Sequence, residues 1–201
     1  MDADDRLTTE LAADLDRAFE AVVVAHQDRL FTIALRMLGD RGDAEEAAQD
    51  AFVRAYRALA GYDAARIRDL RLRGWLTTIV LNRCRSVASR RATRGPRPVP
   101  LEPDAGRGTT VEPEVPAATL PTEVAERHAE RERWAARLVE LPLPYRTAVI
   151  LRHVDGLSYP EVARVLGRPE GTVKAQVHRG IAMLRTTLEA EHRRELQEMT
   201  A

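Results

Sequence analysis

Near the carboxyl end of the sequence, six residues within eight positions could recognise DNA. Their spacing suits the outer face of one helix, and most of them carry hydrogen-bond donors. A lysine supplies a point charge for a phosphate, an arginine can bind phosphate or guanine, and a glutamine can pair with adenine. The candidates are Thr172, Lys174, Ala175, Gln176, His178 and Arg179. This chemistry predicts contacts in the major groove of duplex DNA.

A short helix and a glycine turn are expected to position this outer face. Ser158 is a good N-cap, Pro160 sits in the first turn, and Glu161 completes a capping box. Gly167 supplies a left-handed stop before the next helix. That helix turns one set of apolar residues inward, namely Val173, Val177, Ile181 and Leu184. A capped helix, a glycine turn and a longer helix are typical of a helix-turn-helix.

Charge is segregated along the chain although the formal net charge is zero. Residues 66–94 contain nine arginines and a single acid, Asp69. Residues 1–28 contain eight acids and two arginines, and no role follows for the acidic amino end before Phe19. Such asymmetry indicates partners of opposite sign at different places on one molecule.

The composition predicts an all-α protein with two small helical domains. The chain has 201 residues, 44% of them hydrophobic and only 4% aromatic, which favours helices. Seven of the eleven prolines fall within 93–122, where neither a helix nor a central strand survives such density. We therefore predict domains over 18–92 and 123–192, joined by a flexible, proline-rich linker over 93–122.

The first domain is expected to contain three main helices. Apolar residues recur at helical spacing from Phe19 to Leu38, and Gly39 to Gly42 stops that helix. Asp43 is predicted to cap the second helix, with Glu46 three residues on in a capping-box arrangement. The third helix is predicted over 72–89. Charged and short helices are expected over 123–141 and 145–154 before the helix-turn-helix.

Several classes of protein are disfavoured. Cys84 is the only cysteine, so an internal disulfide and a cysteine-based zinc site are excluded. The acidic amino end lacks the apolar core of a signal peptide, and no apolar run suits a membrane helix. The five histidines have no metal-ligand spacing, and no phosphate-binding glycine loop is present. We expect a soluble cytoplasmic protein without cofactor, metal or catalytic residues.

The string GLSYPEVARVLGRPEGTVKAQVHR at 156–179 resembles region four of extracytoplasmic-function (ECF) sigma factors, the small promoter-recognition subunits of bacterial RNA polymerase. Leu141, Pro142 and Arg146 resemble that family's lead-in to the region. The resemblance implies recognition of the −35 promoter element, with the polymerase β flap as a partner. The family commonly has Ser and Arg where Ala175 and Gln176 stand, so the recognised sequence cannot be borrowed.

The string DAEEAAQDAFVRAYRAL at 43–59 resembles region two of the same family. In that family this helix grips the β′ clamp helices of core RNA polymerase. The resemblance implies polymerase-binding roles for exposed side chains at Asp43, Glu46, Gln49 and Asp50.

The string RGWLTTIVLNR at 73–83 resembles the part of region two that opens and reads the −10 element. Asn82 stands where the family has the asparagine at the pocket for a flipped base. Holding a single strand also needs a cationic track. The −10 candidates are therefore Arg73, Asn82, Arg83, Arg85, Arg90 and Arg91. Trp75 is expected to pack in the core.

The resemblance implies promoter DNA and core RNA polymerase as partners, a role in stress response, and a cognate anti-sigma factor. Three other readings compete with it. An autonomous helix-turn-helix regulator explains 156–179 but not the acidic helix followed by a cationic one. The enzyme interpretation would require a catalytic motif, and the sequence shows none. A pure protein-interaction module does not explain the cationic segments.

Overall fold

A computed structural model describes residues 3–94, 134 and 136–200, which are almost wholly helical and include no strand. The all-α prediction is therefore confirmed. The helices are α1 (Ala3–Ala13), α2 (Leu15–Leu38), α3 (Arg41–Leu59), α4 (Ala64–Arg68), α5 (Leu72–Arg94), α6 (Leu143–Val149) with a π-helical turn (Ile150–Val154), α7 (Tyr159–Leu166) and α8 (Glu170–Thr200). Residues 136–140 are also helical. Most of the predicted linker over 93–122, and 123–133 of the next predicted helix, lie outside the described residues.

The junction between α2 and α3 is capped differently from the prediction. Gly39, at φ 72°, ends α2 in the left-handed conformation that glycine tolerates best. Asp40 is the N-cap of α3, and its Oδ1 accepts a hydrogen bond of 2.8 Å from the Asp43 backbone N–H. The prediction that Asp43 caps this helix was wrong. Gly39 alone turns the chain, so α3 begins at Arg41, two residues before Asp43. Asp43 instead lies in the first helical turn, where a carboxylate suits the helix dipole.

Small side chains let three helices of the first half pack closely. Helix α3 turns Ala44, Ala47, Ala51 and Ala55 inward, and each is completely buried. Helices α2 and α5 both pack against it. Alanine lets helix axes approach, and longer residues such as Leu30 and Leu76 fill the remaining space.

Helix α1 is an element that the sequence did not predict. Leu11 of α1 is buried, and the helix packs on α2 and α4 and touches α5. Asp4 Oδ2 accepts a hydrogen bond of 3.1 Å from the Arg73 backbone N–H in the first turn of α5. Asp4 Oδ1 also lies 3.4 Å from His26 Nε2. The acidic amino end is therefore part of the folded first half.

The second half contains the predicted helix-turn-helix in α7 and α8. The Ser158 backbone N–H donates to Glu161 Oε2 over 2.8 Å, and Gly167 adopts φ 61°. Val173 and Val177 are completely buried, as their inward spacing predicted. The capping box and the glycine stop are confirmed.

A π-helical turn follows α6, and the sequence did not predict it. The Asp155 backbone N–H donates to the carbonyl oxygen of Ile150, five residues earlier, over 2.9 Å. Such a turn is wider than an α-helical turn by one residue, so it rotates the later residues about the helix axis. It ends the helix at Asp155, whose side chain is directed at the first half of the chain.

The two helical halves pack against one another through a continuous core. Thr147 Oγ1 lies 3.8 Å from Met37 Sδ, and Arg146 Nη1 donates to the carbonyl oxygen of Met37 over 2.7 Å. Gly39 also faces this junction, since a Cβ there would lie 2.7 Å from Val139 Cγ2. Among the residues described, every helix is too short or too polar to span a bilayer.

Cys84 is expected to resist thiol reagents while the protein is folded. Its side chain is completely buried on α5, and burial raises the pKa of the thiol to about 12. The thiolate, which is the reactive form, is therefore scarce at neutral pH. In native buffer, maleimide should modify the exposed thiol of an Ala182→Cys variant rapidly and Cys84 only after urea is added. Equal rates for both thiols in native buffer would contradict the burial.

Candidate DNA and polymerase interfaces

The outer face of α8 presents most of the predicted −35 candidates to solvent. Five of the six candidates are exposed: Thr172, Lys174, Ala175, His178 and Arg179. The inward residues between them pack on α6 and α7. One helix thus carries hydrogen-bond donors and two cations on a solvent-facing surface next to a tight turn, the arrangement that lets a helix enter a major groove.

Gln176 departs from the prediction that it lies on this outer face. It is only 9% exposed, and its Oε1 has no hydrogen-bond partner. It lines a cavity with Thr147 of α6 and with Arg85 and Arg168. The reason is helical periodicity, because Gln176 follows the buried Val173 by three residues and so shares its face. Direct pairing of Gln176 with an adenine does not fit this arrangement.

Lys174 is held at the start of the recognition helix. Its Nζ lies 2.7 Å from Glu170 Oε1 and 5.5 Å from the centre of the Tyr159 ring. The hydrogen bond to Glu170 raises the pKa of Lys174, which keeps the ammonium charged. A phosphate would compete with Glu170 for this cation, so Lys174 offers a weaker anion contact than an unpaired lysine would.

The exposed side of α5 carries the −10 candidates Asn82 and Arg90. Asn82 Oδ1 accepts a hydrogen bond of 3.2 Å from Arg85 Nη1. Arg85 is half-buried, and its burial and the nearby charge of Arg168 both lower its pKa. Asn82 and Arg85 therefore form one polar group beside the helix-turn-helix.

Two further −10 candidates are engaged by acids that were predicted to bind polymerase. Arg83 lies 2.7 Å from Glu46 and 2.9 Å from Asp50, measured between the nearest nitrogen and oxygen atoms. Arg91 contacts Asp43 and donates to the carbonyl oxygen of Leu38. These pairs fasten α5 to α3 and to the end of α2.

The prediction that the acids of α3 are exposed holds only in part. Asp43 is 9% exposed and contacts Arg91, so it is directed into the first half. Asp50 is half-buried between Arg54 and Arg83. Glu46 and Gln49 are exposed. Sequence reasoning missed the pairs between α3 and α5 because they join residues far apart in the chain, beyond the reach of helical spacing.

Trp75 packs as predicted. Its ring centre lies 6.2 Å from that of Tyr62, and the side chain is partly buried against the core. The indole therefore supports α5 from behind its exposed face.

Arg73, the remaining −10 candidate, reaches across to the second half. Its guanidinium contacts the carbonyl oxygen and the side chain of Asp155. Arg29 of α2 approaches the same carboxylate, with Nε 2.6 Å from Oδ1 and Nη2 2.8 Å from Oδ2. Arg29 and Asp155 were not singled out from the sequence, because one of several arginines on α2 and an aspartate before a glycine carry no recognisable signal.

Comparison with known protein families distinguishes the sigma-factor interpretation from its three alternatives. The Sigma-70 region 2 family matches residues 22–94, and the Sigma-70 region 4 family matches residues 131–184. Together the two matches cover more than half of the chain.

The chain belongs to the sigma-70 family.

Relatives of this sigma factor identify its type. It is 30% identical over 172 residues to the ECF RNA polymerase sigma factor SigW of Bacillus subtilis, covering 85% of this chain and 89% of that one. It is 33% identical over 176 residues to the RNA polymerase sigma-E factor of Streptomyces avermitilis, covering 86% of each chain. The protein is an ECF-type sigma factor, a non-catalytic subunit that acts in promoter recognition and transcription initiation. The enzyme reading and the autonomous-regulator reading are thereby excluded.

Solved structures agree with the fold of this sigma factor. CnrH, solved in complex with the cytosolic domain of CnrY, matches with a TM-score of 0.66 and 29% identity, covering 94% of this chain and 99% of CnrH. The sigma factor RpoE of Bartonella quintana, solved with the anti-sigma factor NepR, matches with a TM-score of 0.60 over 85% of this chain and 96% of RpoE. At 21% identity, the second match supports the fold alone.

Proposed function

We propose that this sigma factor recognises the −35 element through the exposed face of α8. The observation that carries the proposal is the side-by-side exposure of Arg179, His178 and Lys174 on the second helix of a helix-turn-helix. Arg179 supplies a guanidinium that can bind a phosphate or the acceptors of guanine, and Lys174 supplies a phosphate contact. Region 4 would also contact the β flap of core RNA polymerase.

The same proposal assigns the −10 element to α5. Asn82 and Arg90 are exposed and so accessible to a melted strand, and Arg85 adjoins Asn82. Arg83 and Arg91 serve instead to hold α5 on α3, through their contacts with Glu46, Asp50 and Asp43. They act as positioning residues for the −10 surface. Arg73 is half-exposed and already engaged by Asp155, so a phosphate would compete with that carboxylate for it.

The proposed contact with the β′ clamp helices is made by α3 through Gln49 and Glu46, the exposed polymerase candidates. The functional units are 18–92 for core binding and −10 recognition and 123–192 for −35 recognition. Helix α1 extends the first unit toward the amino end, because it packs on α2 and α4. We place the protein in the cytoplasm with RNA polymerase, and the complex of CnrH with the cytosolic domain of CnrY supports a cognate anti-sigma factor as a further partner.

The direct test of this proposal is transcription. The purified protein is added to sigma-free core RNA polymerase with a library of promoters, and the start sites are sequenced. Initiation from templates that share −35 and −10 elements is expected and would supply both recognition sequences. Transcripts that do not depend on the sigma factor, or an absence of specific starts, would contradict the proposal.

Gln49→Ala is expected to weaken the association with core polymerase by about 1 kcal/mol, roughly fivefold. Gln49 is exposed, and its loss frees no arginine, whereas Asp50→Ala would also release Arg54 and Arg83. Fluorescence anisotropy of labelled sigma factor titrated with core would measure the change. Gln197→Ala, an exposed glutamine outside the region 4 match, is the matched control. Equal affinities for both variants would remove Gln49 from the interface.

A further inference from the structure

A small polar cavity lies where α5, the start of α6 and the helix-turn-helix meet. Its volume is about 330 Å³. Arg85 of α5, Arg168 before α8 and Gln176 in the second turn of α8 line it. Ligand pockets in proteins usually measure about 300–1,000 Å³, so this cavity suits a small ligand. Its apolar walls come from Leu143, Pro144 and Leu166.

The two arginines give this cavity a positive charge that no acid of its lining balances. Burial and the nearby charge of Arg168 both lower the pKa of Arg85. Arg85 Nη1 donates to the neutral amide of Asn82 over 3.2 Å, and no carboxylate of the described residues forms an ion pair with either guanidinium. Like charges that share a partly buried place repel each other. An anion bound between them would relieve that repulsion.

Gln176 is an unsatisfied polar side chain at the same place. The residue is 9% exposed, and its Oε1 has no hydrogen-bond partner among the described residues. Burying an amide without partners costs free energy that a leucine at this position would avoid. The amide also carries two N–H groups, which can donate to the oxygens of an anion. A polar side chain at this inward position therefore suits a bound ligand better than a closed core.

We propose that Arg85, Arg168 and Gln176 form a binding site for a small phosphoryl dianion in the free sigma factor. A guanidinium matches two oxygens of a phosphoryl group through parallel N–H donors. A dianion balances both arginines, whereas a carboxylate would leave one positive charge in the cavity. The amide of Gln176 donates to a remaining oxygen.

The position of the site favours a free ligand over the phosphates of duplex DNA. Gln176 lies on the inward face of α8 with the buried Val173, whereas Lys174 and Arg179 are exposed. A duplex bound by the exposed face of α8 does not enter a cavity of this size. The ligand is therefore inorganic phosphate or the phosphoryl end of a small nucleotide.

Thermal unfolding of the purified full-length protein, without DNA or polymerase, tests the site. Sodium phosphate is titrated at constant ionic strength, and sodium acetate serves as the monoanion for comparison. Phosphate at ten times its dissociation constant should raise Tm by about 3–6 °C, and acetate should raise it much less. Because phosphate also stabilises proteins in general, the contribution of the site is the difference between the wild type and its variants.

The variants remove one ligand-binding group at a time. Arg85→Gln and Arg168→Gln should each lower the affinity for phosphate by about tenfold or more, because each removes a charged hydrogen-bond donor. Arg168 is exposed, so its variant tests the site without disturbing the core. Arg193→Gln, the same change at an exposed position of α8 beyond the region 4 match, should keep the wild-type affinity. Gln176→Leu should raise Tm in the absence of phosphate and lower the affinity for phosphate about fivefold.

Two results would overturn the proposal. One is equal phosphate affinity in the wild type, Arg168→Gln and Arg193→Gln, and the other is equal stabilisation by phosphate and acetate. Adenosine 5′-monophosphate separates the two sources of the phosphoryl group: binding tighter than that of phosphate assigns the site to a nucleotide, and weaker binding assigns it to inorganic phosphate. Because neither DNA nor polymerase is present, the outcome is independent of the −10 and −35 assignments.

Discussion

Arg179→Ala should weaken binding of the holoenzyme to its promoter by about 1–3 kcal/mol, which is roughly 5- to 150-fold. Arg179 is exposed on the outer face of α8, where a guanidinium can make two parallel hydrogen bonds to guanine or phosphate. Lys174→Ala should cost less, because Lys174 already pairs with Glu170. It should weaken binding to all sequences alike and reduce the slope of log K against log salt by about 1.

The measurement is a titration of holoenzyme on labelled promoter duplexes at several salt concentrations. Arg193→Ala is the matched control, because it removes the same charge from the same helix beyond the region 4 match. Relaxed preference at one −35 position in Arg179→Ala would identify the base that this arginine reads. If Arg179→Ala and Arg193→Ala lose the same affinity, α8 contributes only general charge and the recognition assignment fails.

Gly180→Ala should destabilise the second half by roughly 1–2 kcal/mol despite the better helix propensity of alanine. Gly180 is buried in α8, and a Cβ there would lie 2.6 Å from Val149 Cγ2 and 3.4 Å from the Tyr145 carbonyl oxygen. Overpacking of this kind costs about 1–3 kcal/mol, whereas alanine gains only about 1 kcal/mol over glycine in a helix. Valine is stiff about its first side-chain bond, so Val149 cannot readily move aside.

The same helix offers the matched control for this substitution. Gly171 has no neighbour within 4 Å of an added Cβ, so Gly171→Ala should stabilise by up to about 1 kcal/mol. Urea unfolding followed by circular dichroism would compare the two variants with the wild type. Opposite signs are expected, and a stabilised Gly180→Ala would mean that α8 sits farther from α6 than described.

Local features were predictable from the sequence because their causes are local. The capping box of Ser158 and Glu161 and the left-handed stop at Gly167 depend on residues within one turn of each other. The inward face at Val173 and Val177 follows from helical periodicity alone. The same periodicity places Gln176 on the inward face, and only its polar side chain suggested otherwise.

The missed features depend on neighbours that are distant in the sequence. Asp43 was expected to be exposed, and it is buried because α5 brings Arg91 against it. Helix α1 was missed because few apolar residues mark its inner face, where Thr8 and Leu11 are buried. The pairing of Arg29 with Asp155 spans 126 positions, and no spacing rule connects them.

The contact between Arg29 and Asp155 joins two parts of one polypeptide, so its closing is unimolecular. The occupancy of a complex with a separate inhibitor depends on the concentrations of both proteins through mass action. The contact of Arg29 with Asp155 has no such dependence, because both groups belong to the same molecule and meet at an effective concentration that the connecting chain sets.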